Sequence, residues 1–135
     1  MTTLFNRLQP SDNFCISVSD IAQFLNIPEQ EIVRVECWKY IVFVHRRDIG
    51  GQFISYRKLR QWLIAIAHQI QKCSSLLELL KCLREISEDC QKHEKQYNSQ
   101  HHQFLSQIWF QHWETIISQI SQQKTYQNKL KHNSP

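Results

Sequence analysis

Apolar residues recur at helical spacing in several parts of the chain, and the first clear case lies near residue 20. One apolar helical face there is formed by Val18, Ile21, Ala22 and Leu25. Ser17 is a residue type that caps helix N-termini, and Asn26 tolerates the left-handed backbone that ends a helix. The pattern predicts a short amphipathic helix, preceded by an N-terminal arm with a short helix over Leu4, Phe5 and Leu8.

A second helix is predicted directly after this turn. Pro28 suits the first position of a helix, where the missing N–H has no intrahelical partner. Glu29 and Glu31 would stabilise that end through the helix dipole. The expected buried face consists of Ile32, Val35 and Trp38. Together with the preceding helix, this segment is typical of a helix-turn-helix.

One β-hairpin is predicted next. The segment 40–46 is rich in β-branched and aromatic residues, which favours a strand. Gly50 and Gly51 are the two glycines of the chain, and adjacent glycines supply the positive φ angles of a hairpin turn. Phe53 and Ile54 then begin the return strand. We therefore expect a mainly α protein with one small β-hairpin.

Three further helices are predicted after the hairpin. The first begins near Ser55, the second follows Ser74 and Ser75, and the third follows a lapse of periodicity at residues 98–102. Their apolar stripes are typical of helices that pack against one another or against a second subunit. The residues expected at such a contact between subunits are Leu76, Leu80, Leu83, Leu105, Ile108, Trp109, Trp113 and Ile116.

Positive charge is concentrated in the middle of the chain. The net charge is +4, but the segment 34–60 carries seven cations against Glu36 and Asp48, so it is +5 and the rest of the chain is −1. The seven cations are Arg34, Lys39, Arg46, Arg47, Arg57, Lys58 and Arg60. A concentrated basic face on a small domain is typical of a protein that binds a polyanion.

Motifs for catalysis and for cofactors are missing from the sequence. It contains no Gly-rich phosphate loop, no Ser-His-Asp order and no paired-carboxylate motif. We therefore expect no enzyme, no catalytic residue and no cofactor. The longest apolar stretch, residues 62–67, is far shorter than the roughly 20 residues that cross a bilayer, so a cytoplasmic protein without membrane contact is expected.

The five cysteines are an odd number and lack Cys-x-x-Cys spacing, so we expect reduced thiols. Cys82 and Cys90 would lie about 12 Å apart along one helix, too far to share a metal ion alone. A metal ion held by them would need Cys73, His93 or a second subunit. No metal site is expected, although a redox or metal role of Cys73, Cys82 and Cys90 stays open.

The segment 17–86 resembles the DNA-binding part of MerR-type regulators. The resemblance rests on DIAQFLNIP followed by EIVRV, then the paired-glycine wing, and then a Leu- and Ile-rich helix with a Ser-Ser-Leu break after it. It implies a winged helix-turn-helix whose second helix enters the major groove while the wing contacts the backbone. It also implies a helical dimerisation region that pairs two subunits across a near-palindromic operator.

Under this resemblance, Gln30 and Arg34 would face base edges or phosphates from the second helix, since Gln suits adenine and Arg suits guanine or phosphate. Arg46 and Arg47 would add salt-dependent backbone contacts at the wing. The full set expected to contact DNA is Ser19, Gln30, Arg34, Lys39, Arg46, Arg47, Arg57, Lys58 and Arg60.

The expected organisation has three parts. Residues 1–72 would be the winged helix-turn-helix DNA-binding domain with its arm, 73–124 a helical hairpin for dimerisation, and 125–135 a frayed tail. The hypothesis is a homodimeric, sequence-specific regulator of double-stranded DNA, a repressor without a small-molecule effector. The alternative is a protein-binding adaptor on a winged-helix scaffold, which docks a partner through its aromatic C-terminal helices.

Overall fold

A computed structural model describes residues 1–132 and is mainly helical, with one small antiparallel sheet. The helices are α1 (Thr3–Leu8), α2 (Pro10–Asn13), α3 (Val18–Leu25), α4 (Arg60–Gln71), α5 (Leu76–Lys92) and α6 (Ser99–His132). The strands are β1 (Ile32–Cys37), β2 (Val42–Arg46) and β3 (Gly50–Ile54). Single 3-10 turns lie at Glu29–Glu31, Tyr56–Lys58 and Glu94–Gln96. The mainly helical class and the β2–β3 hairpin are confirmed.

Local capping signals produce α3 as predicted. The hydroxyl of Ser17 accepts a hydrogen bond from the Asp20 N–H, and the Asp20 carboxylate accepts one from the Ser17 N–H, which forms a capping box. Asn26 ends the helix with φ of 56°. Ser75 caps α5 in the same way as Ser17, through the N–H of Glu78.

The predicted second helix is wrong, because its residues form β1. Between Pro28 and the start of β1, helical structure is limited to the single 3-10 turn Glu29–Glu31. Ile32, Val33 and Val35 are β-branched, which lowers helix propensity and favours a strand. Strand β1 pairs antiparallel with β2, with Val35 opposite Val44, so the backbone groups that face β2 are satisfied by the sheet. The two-helix unit of a helix-turn-helix is therefore not formed here.

The inner face of the sheet packs on the main core. Val42, Val44 and Ile54 are buried there, and α4 contributes the fully buried Trp62 and Ile66. The N-terminal segment is also part of this core. Its predicted short helix is present as α1, but Leu4, Phe5 and Leu8 are buried, so the segment is not a free arm.

Helices α5 and α6 share the same hydrophobic cluster with α4 and the sheet. Leu79 and Ile86 of α5 and Leu105 of α6 belong to it, so side chains from both sides of the expected boundary at residues 72 and 73 meet in one core. The expected frayed tail is helical as far as His132, since residues 121–132 contain no Gly or Pro. Residues 133–135 of that tail lie outside the described residues.

Candidate nucleic-acid interface

The residues predicted to contact DNA are divided among three places in the fold. Arg57 lies in the core. Ser19 lies in α3, Lys58 in the 3-10 turn before α4, and Arg60 at the start of α4, where its Nη2 lies 3.8 Å from Oδ1 of Asp20. The remaining members lie on or beside the sheet, and these are Gln30, Arg34, Lys39, Arg46 and Arg47. The single basic face expected from the sequence is therefore not assembled from all nine residues.

Arg57 cannot contact DNA, which corrects its prediction. The residue is only 4% exposed, and its guanidinium donates to both oxygens of Asp89, at 2.7 Å from Nε and 2.8 Å from Nη2. The rings of Phe5 and Trp62 lie 5.0 and 5.1 Å from its Cζ. We call Arg57, Asp89, Phe5 and Trp62 the core cation site.

The Asp89 carboxylate is held in its charged form inside the protein. Burial alone would raise its pKa, but hydrogen bonds from Arg57, Thr2 and Tyr97 outweigh burial, so the pKa of Asp89 lies below its usual value. The hydroxyl of Tyr97 in turn accepts a hydrogen bond from Nε1 of Trp62 at 2.8 Å. This network joins the N-terminus, α4, α5 and the turn before α6.

Arg46 is mostly occupied within the protein. Its guanidinium donates to both oxygens of Asp48, at 3.0 and 2.7 Å, and to the side-chain oxygen of Gln52 at 2.9 Å. The Arg46 side chain is 14% exposed. It is therefore a weaker candidate for phosphate contact than Arg47, which is exposed and donates from Nε to the main-chain oxygen of Gln30.

The outer face of the sheet carries aromatic rings that sequence reasoning did not assemble. Phe43 and Phe53 are cross-strand neighbours with ring centroids 5.6 Å apart. Trp38, which follows β1, stacks on Phe43 with centroids 5.3 Å apart and an interplanar angle of 14°. Trp38 is 46% and Phe53 55% exposed. We call Trp38, Phe43 and Phe53 the outer aromatic cluster.

Charged side chains flank this cluster. The guanidinium of Arg34 lies over the Phe43 ring, with Cζ 5.8 Å from the centroid, and the side chain is 55% exposed. Glu36 lies beside it, with Oε1 3.6 Å from Nε of Arg34 and Oε2 accepting from Nε1 of Trp38 at 3.3 Å. In the sequence, the alternation of Phe43 with the buried Val42 and Val44 indicates that Phe43 lies on the outer face of the sheet. Assembling the whole cluster also requires β1 as the third strand, because Trp38 follows it.

Gly51 shapes the surface next to the cluster. A Cβ at this position would lie 2.8 Å from Cε2 of Phe43, closer than real Cβ atoms come to other atoms. The absence of a side chain lets the Phe43 ring approach β3 closely. Gly50 has a different role, because its φ of 82° is the turn conformation that the paired glycines were expected to supply.

The residues predicted to pair two subunits are also divided. Leu105 and Ile116 are buried within the subunit, which corrects their assignment to a subunit contact, whereas Ile108, Trp109 and Trp113 pack against the core and stay partly exposed, so their assignment remains a prediction. Leu105 and Ile116 turn inward because α6 covers α4 and α5. Leu80 and Leu83 remain exposed on α5, together with Leu77 at 79%, whereas Leu76 is half-buried.

A groove of about 430 Å³ lies between α5 and α6. Its walls are apolar, with Leu83, Ile86, Cys90, Leu105, Trp109 and Phe110 among the lining residues. Phe110 is 60% exposed at its rim. This groove and the exposed leucines form a second apolar surface, which we call the α5–α6 surface.

Within residues 1–132, no three His, Cys, Asp or Glu side chains are grouped closely enough to hold a metal ion. Burial raises the pKa of Cys82 to about 12 and that of Cys90 to about 11, so both thiols are protonated at neutral pH. None of the helices in this part of the chain combines the length and apolar character needed to cross a bilayer.

Comparison with protein-family models, with curated proteins and with solved structures finds no match to this chain.

Proposed function

We propose that this protein is a DNA-binding regulator that contacts nucleic acid with the outer face of its sheet. The observation that carries the proposal is the exposed Arg34 beside the half-exposed rings of Trp38 and Phe53. Arg47 is exposed just after β2, and Lys39 is exposed in the loop before β2, where its Nζ lies 5.3 Å from the Tyr40 ring centroid. β-Sheets can take the place of a recognition helix in a DNA groove, so the loss of the second helix does not remove this function.

The test is a salt titration of the full-length protein against a labelled random duplex by fluorescence anisotropy. Cations that contact phosphates release counterions, so affinity should fall steeply between about 50 mM and about 200 mM salt. The variant R34A/R47A should bind more weakly, and its slope of log affinity against log salt should be shallower by about two.

The matched control is K129A/K131A, which removes two exposed cations from the far end of α6. It has the same net charge as R34A/R47A, so it should bind like the unmodified protein if the sheet is the contact surface. Absence of binding at about 50 mM salt would contradict the function. Equal weakening by both double variants would contradict the assigned surface.

The proposed regulator is a homodimer that represses by occupying its operator. The support is the α5–α6 surface, where Leu77, Leu80 and Leu83 are exposed along one helix. Apolar side chains repeated along a helix face are typical of a helix pairing site. Sedimentation should give a dimer for the unmodified protein and a monomer for L80E/L83E, whereas a monomeric unmodified protein would contradict pairing.

A protein-binding adaptor is the second candidate, and the groove between α5 and α6 favours it. An apolar groove of this kind can receive an amphipathic helix of another protein. The two candidates differ in the same experiments. An adaptor would be monomeric by sedimentation and would not bind the duplex at about 50 mM salt.

A further inference from the structure

We propose that the outer aromatic cluster binds single-stranded nucleic acid, with one base stacked on Trp38 and a second base stacked on Phe53. This inference rests on the proposed function and names the form of nucleic acid that the same face takes. It extends the expectation of duplex DNA, which the sequence suggested through a recognition helix.

The first argument is the arrangement of the three rings. Trp38 and Phe53 are the more exposed rings, at 46% and 55%, while Phe43 is half-buried and contacts both. The Trp38 ring is supported from below by Phe43, on which it stacks at 5.3 Å. Each of the two outer rings therefore keeps exposed surface for a base, and Phe43 holds Trp38 in place.

The second argument is the angle between the outer rings. The planes of Trp38 and Phe53 are inclined by 63°, with centroids 5.4 Å apart. Bases in a duplex are parallel and their faces are hidden in the stack, so two inclined rings cannot stack on them. Unpaired bases can be splayed apart and stacked separately on aromatic side chains of a sheet. The geometry thus matches two unstacked bases of a single strand.

The third argument is charge. Arg34 lies over Phe43 and is exposed, so its guanidinium can reach a phosphate or stack on a base. Lys39 lies in the loop before β2, with its Nζ 5.3 Å from the Tyr40 ring centroid, and Arg47 follows β2. Arg46 and Asp48 neutralise each other, so Glu36 is the carboxylate that opposes an anion next to the rings. Arg34 is therefore the exposed cation beside the rings, and Arg47 lies past the far end of β2.

The position of Trp38 does not depend on its own ring. The buried Tyr56 donates its hydroxyl hydrogen bond to the main-chain oxygen of Trp38, and the N–H of Trp38 donates to the main-chain oxygen of Ile41 at 3.0 Å. These contacts persist when the side chain is changed. Variants at Trp38 should therefore fold, and unfolding midpoints will verify this before binding is measured.

The experiment compares a labelled single-stranded oligonucleotide of about 15 nucleotides with its duplex, at low salt. The unmodified protein should bind the single strand more tightly. W38A and F53A should each weaken this binding about 5- to 150-fold, the worth of one base stacked on an aromatic ring, and should weaken duplex binding much less. W38F should restore most of the lost affinity because it keeps a ring.

The control is Y126A, which removes a 65% exposed aromatic ring from α6 and should have no effect. A duplex preference, or equal binding by W38A and the unmodified protein, would overturn the inference while leaving the proposed function standing. Failure to bind either form at about 50 mM salt would overturn both.

Discussion

An arginine placed against aromatic rings and a carboxylate occurs twice in this protein, once in the core and once on the surface. In the core, Arg57 is placed against two aromatic rings and a carboxylate, that of Asp89. On the sheet, Arg34 is placed beside the outer aromatic cluster and the carboxylate of Glu36. The parts are alike, but the Arg57 side chain is 5% exposed and the Arg34 side chain 55%.

The difference shows how burial decides what an arginine does. In the core, the two charges have lost water and depend on each other, so the pair has short bidentate geometry, with distances of 2.7 and 2.8 Å. On the surface, the distance of 3.6 Å between Arg34 and Glu36 leaves the guanidinium free to exchange its partner. The first arrangement holds the fold, and the second is available to a ligand.

The largest effect on the free energy of unfolding is expected from breaking the buried pair of Arg57 and Asp89. D89N leaves a buried guanidinium without its counter-charge, which should lower the free energy of unfolding by about 3–5 kcal/mol. E36Q makes the same change on the sheet and should shift stability by less than about 0.5 kcal/mol. Urea denaturation of both variants measures this contrast. Similar losses in D89N and E36Q would refute the distinction between the two arrangements.

Acid should remove the stabilisation that the charged Asp89 carboxylate gives to the unmodified protein. Because the pKa of Asp89 is lowered on folding, the unfolded chain binds its proton more readily than the folded one. The contribution is complete above the usual Asp pKa of about 3.9 and is lost as the pH falls through the lower pKa of the folded state. Stability measured against pH should therefore fall more steeply in the unmodified protein than in D89N. Parallel curves would contradict this origin.

A smaller effect is expected at Gly51. In G51A the new Cβ would lie 2.8 Å from Cε2 of Phe43, so the ring must turn away. A forced torsion of this kind costs roughly 0.5–1.5 kcal/mol of stability. It should also weaken single-strand binding, because Phe43 supports the Trp38 ring.

G50A is the control for this change. It strains the backbone at φ of 82° but meets no atom within 4 Å, so it should lower stability without a specific effect on binding. Denaturation and anisotropy on both variants separate the two glycines. Equal binding by G51A and the unmodified protein would show that the position of Phe43 is unimportant.

The smallest effect is the change in binding affinity that is expected when Glu36 is neutralised. E36Q keeps an oxygen that can accept the hydrogen bond from Nε1 of Trp38 but removes the negative charge beside Arg34. Single-strand affinity should rise a few-fold at low salt, and the gain should shrink as salt screens the charges. A loss of affinity would mean that the carboxylate orients Arg34 for binding.

Much of the fold was predictable because its signals are local. Ser17 begins α3 and Asn26 ends it. Each does so through hydrogen bonds and backbone conformations that involve residues only a few positions away. Ser75 does the same for the start of α5. Such features need no knowledge of distant parts of the chain.

The β1 segment, which was predicted as a helix, shows that local sequence signals do not always decide between a helix and a strand. Ile32, Val35 and Trp38 match the spacing of a helix, while the β-branched Val33 between them favours a strand. Pairing with β2 decided between these two possibilities, and that pairing joins residues that are not neighbours in sequence. Once β1 is a strand, the outer aromatic cluster follows from the register of the sheet.

Arg57 illustrates the same limit for the candidate site. In sequence it belongs to a basic run with Lys58 and Arg60, and nothing nearby indicates a different role. Its partner Asp89 is 32 positions away and lies in another helix. Counting charges along a segment therefore overestimates the surface charge wherever one cation is neutralised by a distant carboxylate.

The hydrogen bond from Tyr56 to the main chain at Trp38 has a consequence for cooperativity. Tyr56 is itself fully buried, so the loop that presents the indole is anchored to the densest part of the interior. Heating should therefore melt the exposed ring stack and the interior in a single transition. The near-ultraviolet circular dichroism of the rings should disappear at the same temperature as the helical signal.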